Sequence, residues 1–285
     1  MGHNSIEVRK IAGAIGAEVS GVDLSKPLDD ATFSAVHRAF VDHGVIFFRD
    51  QQLTPETQKA FTRRFGPFGE TPFVKTMPEH PEIIAVVKEA TDLKVHNFGG
   101  SWHSDFSFQA TPPMASMLYA RDVPSYGGDT LWTNMYLAYE TLSDGLKRTL
   151  SGLRAIHSGT RSYGTQGLFA RGLGGWAMTV NPSAEGDAEV SHPVVRTHPE
   201  SGRKALFINS VYVIRFDGWT EAESRPLLDY LLAHAIRPEF TCRFSWRKGS
   251  LALWDNRCTQ HFAINDYDGS RREMHRTTIA GERPA

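Results

Sequence analysis

The chain has few cysteines and lacks the motifs in which cysteines usually have a structural role. Its 285 residues include two, Cys242 and Cys258, which do not form a CxxC pair of the kind that binds zinc. Two cysteines also provide no disulfide framework of the kind that small secreted domains need. We therefore expect a protein of the reducing cytoplasm.

The sequence also lacks long apolar runs and basic stretches. No apolar run approaches the ~20 residues that a membrane-spanning helix needs, and the N-terminus lacks the basic and then apolar pattern of a secretory signal. The formal net charge is −1, and no basic run offers a footprint for a phosphate backbone. We expect neither a membrane nor a nucleic acid as a partner.

Internal repeats and low-complexity linkers are absent as well, so we expect a single domain over residues 1–285. Hydrophobic residues make up 40% of the chain and charged residues 22%, which is compatible with a buried core. Residues 158–189 form a long glycine-rich segment that holds Tyr163, Phe169 and Trp176. Irregular segments of this length are usually lids or binding loops, so we expect a lid here.

Short apolar runs predict many strands, with a few helices between them. Asp30 to His43 has apolar residues at helical spacing and is followed by Gly44, a residue suited to ending a helix. Thr54 and Pro55 are suited to beginning a second helix. Further helices are predicted at 134–142, 144–152 and 220–234. Strands are predicted at 11–22, 45–48, 83–87, 114–119, 194–196, 205–208, 240–246, 250–254 and 273–279. This pattern is typical of a mainly β fold with flanking helices, either a β-sandwich or a jelly roll.

Two histidines and one aspartate are the candidate metal ligands. His103 and Asp105 are one residue apart, and His261 follows a W-D-N-R motif at 254–257. Alternate side chains of an extended strand point the same way, so His103 and Asp105 can face one ion. Two imidazoles and a carboxylate are the ligand set of mononuclear non-haem Fe(II) sites with open positions. Alone, His-x-Asp is more often a surface hydrogen-bonding pair.

Two arginines and a threonine are the candidate anion-binding residues. Arg272 and Arg276 follow a hairpin-like turn at Asp266–Gly269, and their spacing puts both on one face of an extended strand. Arginine can hold a carboxylate through two parallel hydrogen bonds. We expect one to bind a 2-oxo acid co-substrate and the other an acidic substrate. The hydroxyl of Thr130, which ends a G-G-D-T motif, is expected to share the co-substrate carboxylate. Taken alone, the arginines fit a solvated face and G-G-D-T fits a turn.

Together, these motifs resemble the taurine/α-ketoglutarate dioxygenase family, which includes the aryloxyalkanoate dioxygenases. The resemblance covers nearly the whole chain, and the order and spacing of the motifs are more specific than any one of them. The motifs are G-A-E-V-S-G-V-D-L at 16–24, R-F-G-P at 64–67, W-H-S-D at 102–105, G-G-D-T at 127–130, W-D-N-R at 254–257, His261, D-Y at 266–267 and M-H-R at 274–276. The resemblance implies a double-stranded β-helix, or jelly roll, with flanking helices.

The resemblance also implies a role for each site residue. The implied iron ligands are His103, Asp105 and His261, and the implied 2-oxoglutarate anchors are Thr130 and Arg272. Arg276 matches the arginine that grips a sulfonate or carboxylate of the substrate. The presence of Asp105 favours hydroxylation, because related halogenases lack that carboxylate. The implied reaction uses Fe(II), 2-oxoglutarate and O2 and releases succinate and CO2.

The residues around the expected substrate pocket differ from those of the taurine enzyme. Thr71 stands before a proline where that enzyme has histidine, and Gly99–Gly100 replaces an asparagine. Phe73, Phe106 and Tyr212, with Thr71, are expected to line a roomier and less polar pocket. We therefore expect a small organic anion as substrate: a sulfonate, a sulfate ester or an aryloxyalkanoate, whose hydroxylated product can fragment.

Two other functions remain open from the sequence. Two histidines and a carboxylate also bind zinc in hydrolases, although a hydrolase has no use for the Thr130 and Arg272 pair. A jelly roll that binds a small molecule without turning it over is the third interpretation. Because the family often forms dimers or tetramers, we expect a homo-oligomer.

Overall fold

The computed structural model describes residues 6–93, 98–172 and 178–285. None of the helices in these ranges has both the length and the hydropathy that a membrane span requires. The strands are β1 (Glu7–Lys10), β2 (Ala17–Ser20), β3 (Val45–Phe48), β4 (Ile84–Lys88), β5 (Ala115–Asp122), β6 (Thr130–Asn134), β7 (Arg154–Ser158), β8 (Glu189–Pro193), β9 (Val195–Thr197), β10 (Lys204–Leu206), β11 (Val213–Phe216), β12 (Thr241–Phe244), β13 (Leu251–Asp255), β14 (Thr259–Ala263) and β15 (Arg272–Ile279). The helices are α1 (Asp30–His43), α2 (Pro55–Arg63), α3 (Met135–Glu140), α4 (Asp144–Leu150), α5 (Thr160–Tyr163) and α6 (Glu221–Ala235).

The two N-terminal helices begin and end where their sequence signals predict. The Asp29 side chain accepts a hydrogen bond from the Thr32 amide at the start of α1, and Gly44 ends the helix with a φ of 67°. Thr54 caps α2 in a reciprocal capping box with Thr57. Gly44 thereby sets the start of β3, which begins at the next residue.

The largest sheet has the strand order β1-β2-β3-β13-β5-β15-β4. Its β3 strand is a continuous apolar run because both faces of the sheet are covered. Ile46 and Phe48 pack towards α1 and α2, while Val45 and Phe47 pack towards a second sheet. That second sheet has the order β12-β6-β14. The ring of Phe47 stacks on Phe244 of β12 with 4.0 Å between centroids.

A second core lies beyond these two sheets. The strands β11-β7-β8 form a third sheet and β10-β9 a fourth. Their apolar residues pack with α3, α4 and α6 around Phe216, Leu228, Leu231 and Leu150, each less than 5% exposed. The mainly β architecture with flanking helices is therefore confirmed.

Two local predictions are wrong, and the strand that carries His261 was not predicted. The segment around Asp105 is a turn and not an extended strand. His261 lies in the middle of β14. Residues Asp266–Gly269 do not close a hairpin, because β14 and β15 belong to different sheets. In each case the conformation depends on contacts between residues that are distant in sequence, which local residue spacing cannot predict.

The 158–189 segment is irregular along much of its length, as predicted. It contains α5 and a short 3-10 helix at Ala184–Asp187, with Ser158 and Glu189 in β7 and β8 at its ends. Trp176 lies outside the described residues. Closure of this segment as a lid stays a prediction.

Candidate metal and substrate site

The three candidate ligands meet in one buried cluster. The nearest ligand atoms of His103, Asp105 and His261 all lie within 4.8 Å of one another. Asp105 Oδ1 is 3.6 Å from His103 Nε2 and 3.8 Å from His261 Nε2. These separations are too long for hydrogen bonds, so the three atoms face a common point without satisfying each other.

The backbone brings the two histidines together across a long sequence gap. His103 donates its backbone N–H to the carbonyl of His261 at 3.2 Å, and His261 donates back to His103 at 2.9 Å. His261 is held in turn by β14, where it pairs with Trp132 of β6. The loop that carries His103 is thereby fixed to the edge of the second sheet.

Asp105 is placed by a strained turn that is anchored on both sides. Phe106 has a φ of 45°, a left-handed conformation that costs a bulky residue roughly 1–3 kcal/mol. Before it, Ser104 donates its hydroxyl to the Thr259 carbonyl at 2.6 Å. After it, Ser107 accepts a hydrogen bond from the Asn209 amide at 2.8 Å. Strain that is held by two buried anchors is typical of functional sites.

Protonation in the cluster suits a metal. His103 Nδ1 lies 2.7 Å from the Ser101 carbonyl, which can only accept, so Nδ1 carries a proton and Nε2 is the ring nitrogen that faces the cluster. Burial and the neighbouring His103 lower the pKa of His261 well below its usual value, so its imidazole is neutral. Burial alone would raise the pKa of Asp105, but the interactions led by the Arg276 guanidinium outweigh it and hold that pKa well below its usual range. A carboxylate and two imidazoles that turn Nε2 towards it therefore fit a divalent metal.

A cavity of about 280 Å³ opens beside this cluster. Of the four residues predicted to line the substrate pocket, Phe106 and Tyr212 do so. Thr71 and Phe73 do not border this cavity, and Phe73 instead packs behind it, with its ring 5.1 Å from that of Tyr163. A substrate-binding role for Thr71 and Phe73 stays a prediction.

Several residues of the cavity wall were not predicted from sequence to line the pocket. These residues are Phe98, Ser162, Tyr163, Leu168, Phe169 and Val211. Four of them come from the glycine-rich 158–189 segment, whose aromatic residues were the available signal. Burial raises the pKa of Tyr163 to about 12, so its phenol stays neutral.

Arg276 is the arginine among the described residues that line this cavity. It is 5% exposed, and its Nη2 lies 2.8 Å from Asp105 Oδ2. Its Nε is buried without a hydrogen-bond partner among the described residues. The guanidinium therefore holds the outer oxygen of the carboxylate and keeps a donor for a further group.

Arg272 lies in an adjoining cavity of about 40 Å³ that is also lined by Thr130, His103 and His261. Its Nε and Nη2 are buried and find no hydrogen-bond acceptor within the described ranges. Leaving such donors unfilled costs free energy, which a bound carboxylate would recover. As predicted, Arg272 and Arg276 lie on one strand, β15.

Thr130 is positioned by the glycine turn before it. Gly127 and Gly128 have φ values of 73° and 67°, and Gly128 donates its N–H to the Asp266 side chain at 2.7 Å. A Cβ on Gly127 would lie 2.7 Å from the Asp266 carbonyl oxygen, so no larger residue fits. The Thr130 hydroxyl accepts a hydrogen bond from Trp246 at 2.9 Å. Trp246, which also lies under Arg272, was missed from sequence.

A second buried cluster has similar residue types and a different chemistry. The ligand atoms of His198, Asp255 and Cys258 also lie within 4.8 Å of one another. His198 Nδ1 accepts from the backbone N–H groups of Glu200 and Ser201, so its Nε2 donates to Asp255 at 3.0 Å. Both carboxylate oxygens of Asp255 also accept from the Arg257 side chain. Burial raises the pKa of Cys258 well above its usual value, so the thiol stays protonated. This cluster therefore offers a metal neither an imidazole lone pair nor a thiolate.

Comparison with known proteins gives consistent relatives. The family model described as “Taurine catabolism dioxygenase TauD, TfdA family” matches residues 7–278. An alpha-ketoglutarate-dependent sulfate ester dioxygenase of Pseudomonas putida is 37% identical over 290 residues, which cover 98% of this chain and 91% of the relative. An alkylsulfatase of Acinetobacter baylyi is 36% identical, with 97% and 86% covered. An alpha-ketoglutarate-dependent 2,4-dichlorophenoxyacetate dioxygenase of Cupriavidus pinatubonensis is 35% identical, with 96% and 97% covered.

Solved structures give the same result. A taurine dioxygenase from Burkholderia xenovorans matches with a TM-score of 0.83 and 36% identity, over 99% of this chain and 93% of the other. The structure of AAD-2 in complex with Mn(II) and N-oxalylglycine matches with a TM-score of 0.78 and 31% identity, over 98% and 99%. With a family match over nearly its whole length and relatives above 30% identity, this chain belongs to the TauD/TfdA family of dioxygenases.

Proposed function

We propose that this chain is an Fe(II)- and 2-oxoglutarate-dependent dioxygenase that hydroxylates a small organic anion. The reaction is substrate–H plus 2-oxoglutarate plus O2, giving substrate–OH, succinate and CO2. The observation that carries the proposal is the buried His103, Asp105 and His261 cluster, flanked by two buried arginines with unfilled donors.

In this proposal each group of residues has one task. His103, Asp105 and His261 hold the iron, which when bound supplies the redox chemistry that couples 2-oxoglutarate decarboxylation to substrate oxidation. The guanidinium of Arg272 and the hydroxyl of Thr130 hold the distal carboxylate of 2-oxoglutarate, which satisfies the unfilled donors of Arg272.

Arg276 binds and orients the anionic group of the substrate. Arg276 has an unfilled Nε and borders a cavity whose lining includes five phenylalanine and tyrosine rings, so the proposed substrate combines an anionic head with an apolar body. Sulfate esters, sulfonates and aryloxyalkanoates have this form, and the names of the relatives include a sulfate ester and an aryloxyacetate. Hydroxylation at the carbon that bears the ester or ether oxygen gives a product that fragments.

The aromatic wall excludes water from the site. Tyr163 and Tyr212 are each 4% exposed, and Phe169 stacks on Tyr163 with 5.3 Å between ring centroids. Because Tyr163 and Phe169 belong to the 158–189 segment, we propose that this segment acts as the lid over bound substrate.

We also propose a double-stranded β-helix, or jelly roll, as the architecture of a single domain over residues 1–285. The support is the face-to-face packing of the seven-stranded sheet on β12-β6-β14. A homo-oligomer and a cytoplasmic location stay predictions.

The two alternative functions have less support. A zinc hydrolase would have no group for the unfilled donors of Arg272, and a non-catalytic binding protein would need no cluster of three metal-type ligands. The dioxygenases among the relatives favour neither alternative.

The test is an assay of succinate formation with Fe(II), 2-oxoglutarate and a panel of sulfate esters, sulfonates and aryloxyalkanoates. We expect succinate that depends on all three components and rises several-fold with one substrate class. Substrate cleavage that continues without 2-oxoglutarate would contradict the proposal and favour a hydrolase.

A further inference from the structure

The carboxylate of Asp105 divides its two oxygens between different surroundings. Oδ1 faces the Nε2 atoms of His103 and His261. Oδ2 accepts a hydrogen bond from the Ser116 hydroxyl at 2.7 Å and lies 2.8 Å from Arg276 Nη2. Because Oδ2 has two donors and Oδ1 has none from a side chain of the described residues, Oδ1 is the oxygen left for an ion.

The direction of the Ser116 hydroxyl follows from its neighbours. Its oxygen lies 3.2 Å from the Asn256 side-chain nitrogen and 3.2 Å from Arg276 Nη2. Both of these groups can only donate. The single hydroxyl proton of Ser116 must therefore point to Asp105, whose ionised carboxylate can only accept.

Asn256 has one possible orientation. Its Oδ1 accepts from the indole N–H of Trp254 at 3.0 Å and from the backbone N–H of Asp105 at 3.3 Å. Since both are donors, the amide nitrogen must face Ser116. Asn256 thus binds the backbone of Asp105 and, through Ser116, its side chain.

We propose that Ser116, oriented by Asn256, is a positioning residue that fixes Asp105 as a one-oxygen metal ligand. The inference rests on the proposed function. Arg276 also holds Oδ2, but it is the cation that an anionic substrate would engage. Ser116 lies in the middle of the largest sheet, fully buried and bound to Asp105 alone as donor, so it keeps Oδ2 in place when Arg276 binds substrate.

The test uses Ser116→Ala with a matched control, Thr277→Val. Thr277 is on the adjacent strand and is 1% exposed, but its hydroxyl contacts Thr62 of α2 on the other face of the sheet. Both variants lose one buried hydroxyl, and only the first loses a donor to Asp105. Removing such a donor to a ligating group typically costs about 10- to 100-fold in metal affinity.

The measurement is Co(II) binding to metal-free protein by visible absorption, with the thermal midpoint of each metal-free variant as a check of folding. We expect Ser116→Ala to weaken Co(II) binding about tenfold or more, while Thr277→Val binds like the wild type. Ser116→Thr, which keeps the hydroxyl, is expected to restore binding to within about threefold of the wild type.

Three results would overturn the inference. Wild-type affinity in Ser116→Ala would remove the role of the hydroxyl. Equal weakening in Ser116→Ala and Thr277→Val, or in Ser116→Ala and folded Ser116→Thr, would show a general packing effect. Absence of Co(II) binding in the wild type would overturn the proposed function as well. The first two results, in which the wild type binds Co(II), would overturn the role of Ser116 alone.

Discussion

The two buried clusters of potential ligands differ in how their lone pairs are used. At His198, Asp255 and Cys258, the imidazole donates to the carboxylate, Arg257 fills both carboxylate oxygens, and the thiol keeps its proton. At His103, Asp105 and His261, the carboxylate Oδ1 lies 3.6 and 3.8 Å from the two imidazole Nε2 atoms, too far for hydrogen bonds. The two clusters have similar residue types at similar separations. What distinguishes the candidate metal site from the structural network is whether the lone pairs are free or already accept hydrogen bonds.

Arg257 and Arg272, one beside each cluster, also differ in whether their hydrogen-bond donors are filled. The Nε and Nη2 atoms of Arg257 donate to Asp255 and Glu200, as expected of a structural ion pair. Arg272 is buried with two nitrogens that have no acceptor in the described part of the chain. A buried cation with unfilled donors indicates a site that awaits an anion.

The largest effect is expected for Asp105→Ala. Removing the carboxylate that faces the two imidazoles should abolish Fe(II) retention and reduce 2-oxoglutarate turnover by more than the ~100-fold typical of residues outside the ligand set. Iron content after desalting and succinate formation measure these two effects. Iron retention equal to that of the wild type would place the metal elsewhere.

Asp255→Asn is the matching change in the second cluster. It leaves the Arg257 charge with Glu200 alone, so the free energy of unfolding should fall by about 3 kcal/mol or more. Iron affinity of the folded variant should not change, because Asp255 does not face the His103 cluster. Denaturant unfolding and iron titration measure the two effects separately. A loss of iron binding without a loss of stability would assign metal binding, and not a structural role, to the Asp255 cluster.

Arg272→Gln should weaken 2-oxoglutarate binding about 100-fold, since a buried arginine–carboxylate interaction contributes about 2–3 kcal/mol. Because Arg272 has unfilled donors before the co-substrate binds, the ligand-free variant should be as stable as the wild type or more so. Anaerobic 2-oxoglutarate titration and thermal melts give the two values. A large fall in ligand-free stability would make Arg272 a structural residue.

Arg276→Gln should have the smallest effect on the core reaction. The KM for the anionic substrate is expected to rise about tenfold or more, while 2-oxoglutarate consumption without substrate stays largely intact, because Ser116 still holds Asp105 Oδ2. Succinate formation with and without substrate measures both. Equal loss in Arg276→Gln and Arg272→Gln would contradict the separate roles of the two arginines.

Local patterns predicted the elements that have local causes. The caps of α1 and α2 and the apolar run of β3 each depend on residues that are close together in sequence. These elements lie where they were expected. The strands β6 and β14 were missed, because their residues are of mixed polarity and their pairing with each other spans over 100 residues of chain.

The site shows the same limit. The identity of its ligands came from motif order, but the turn at Asp105 and the positive φ of Phe106 depend on anchors at Thr259 and Asn209. Asn256 was visible only as part of the W-D-N-R motif, and Ser116 carries no motif. Their roles around Asp105 arise only when the turn at Asp105, strand β5 and the residue after β13 meet. Tyr163 and Phe169 were noted as aromatic residues in a glycine-rich segment, but the sequence did not predict that they line the cavity.

The most direct test of the central claim is anaerobic absorption of the Fe(II)-loaded protein during titration with 2-oxoglutarate. We predict a weak visible charge-transfer band in the wild type and in Asp255→Asn, and its loss in Asp105→Ala. Absence of the band in iron-loaded wild type, or its persistence in Asp105→Ala, would contradict the assignment of the iron and 2-oxoglutarate site to the His103, Asp105 and His261 cluster.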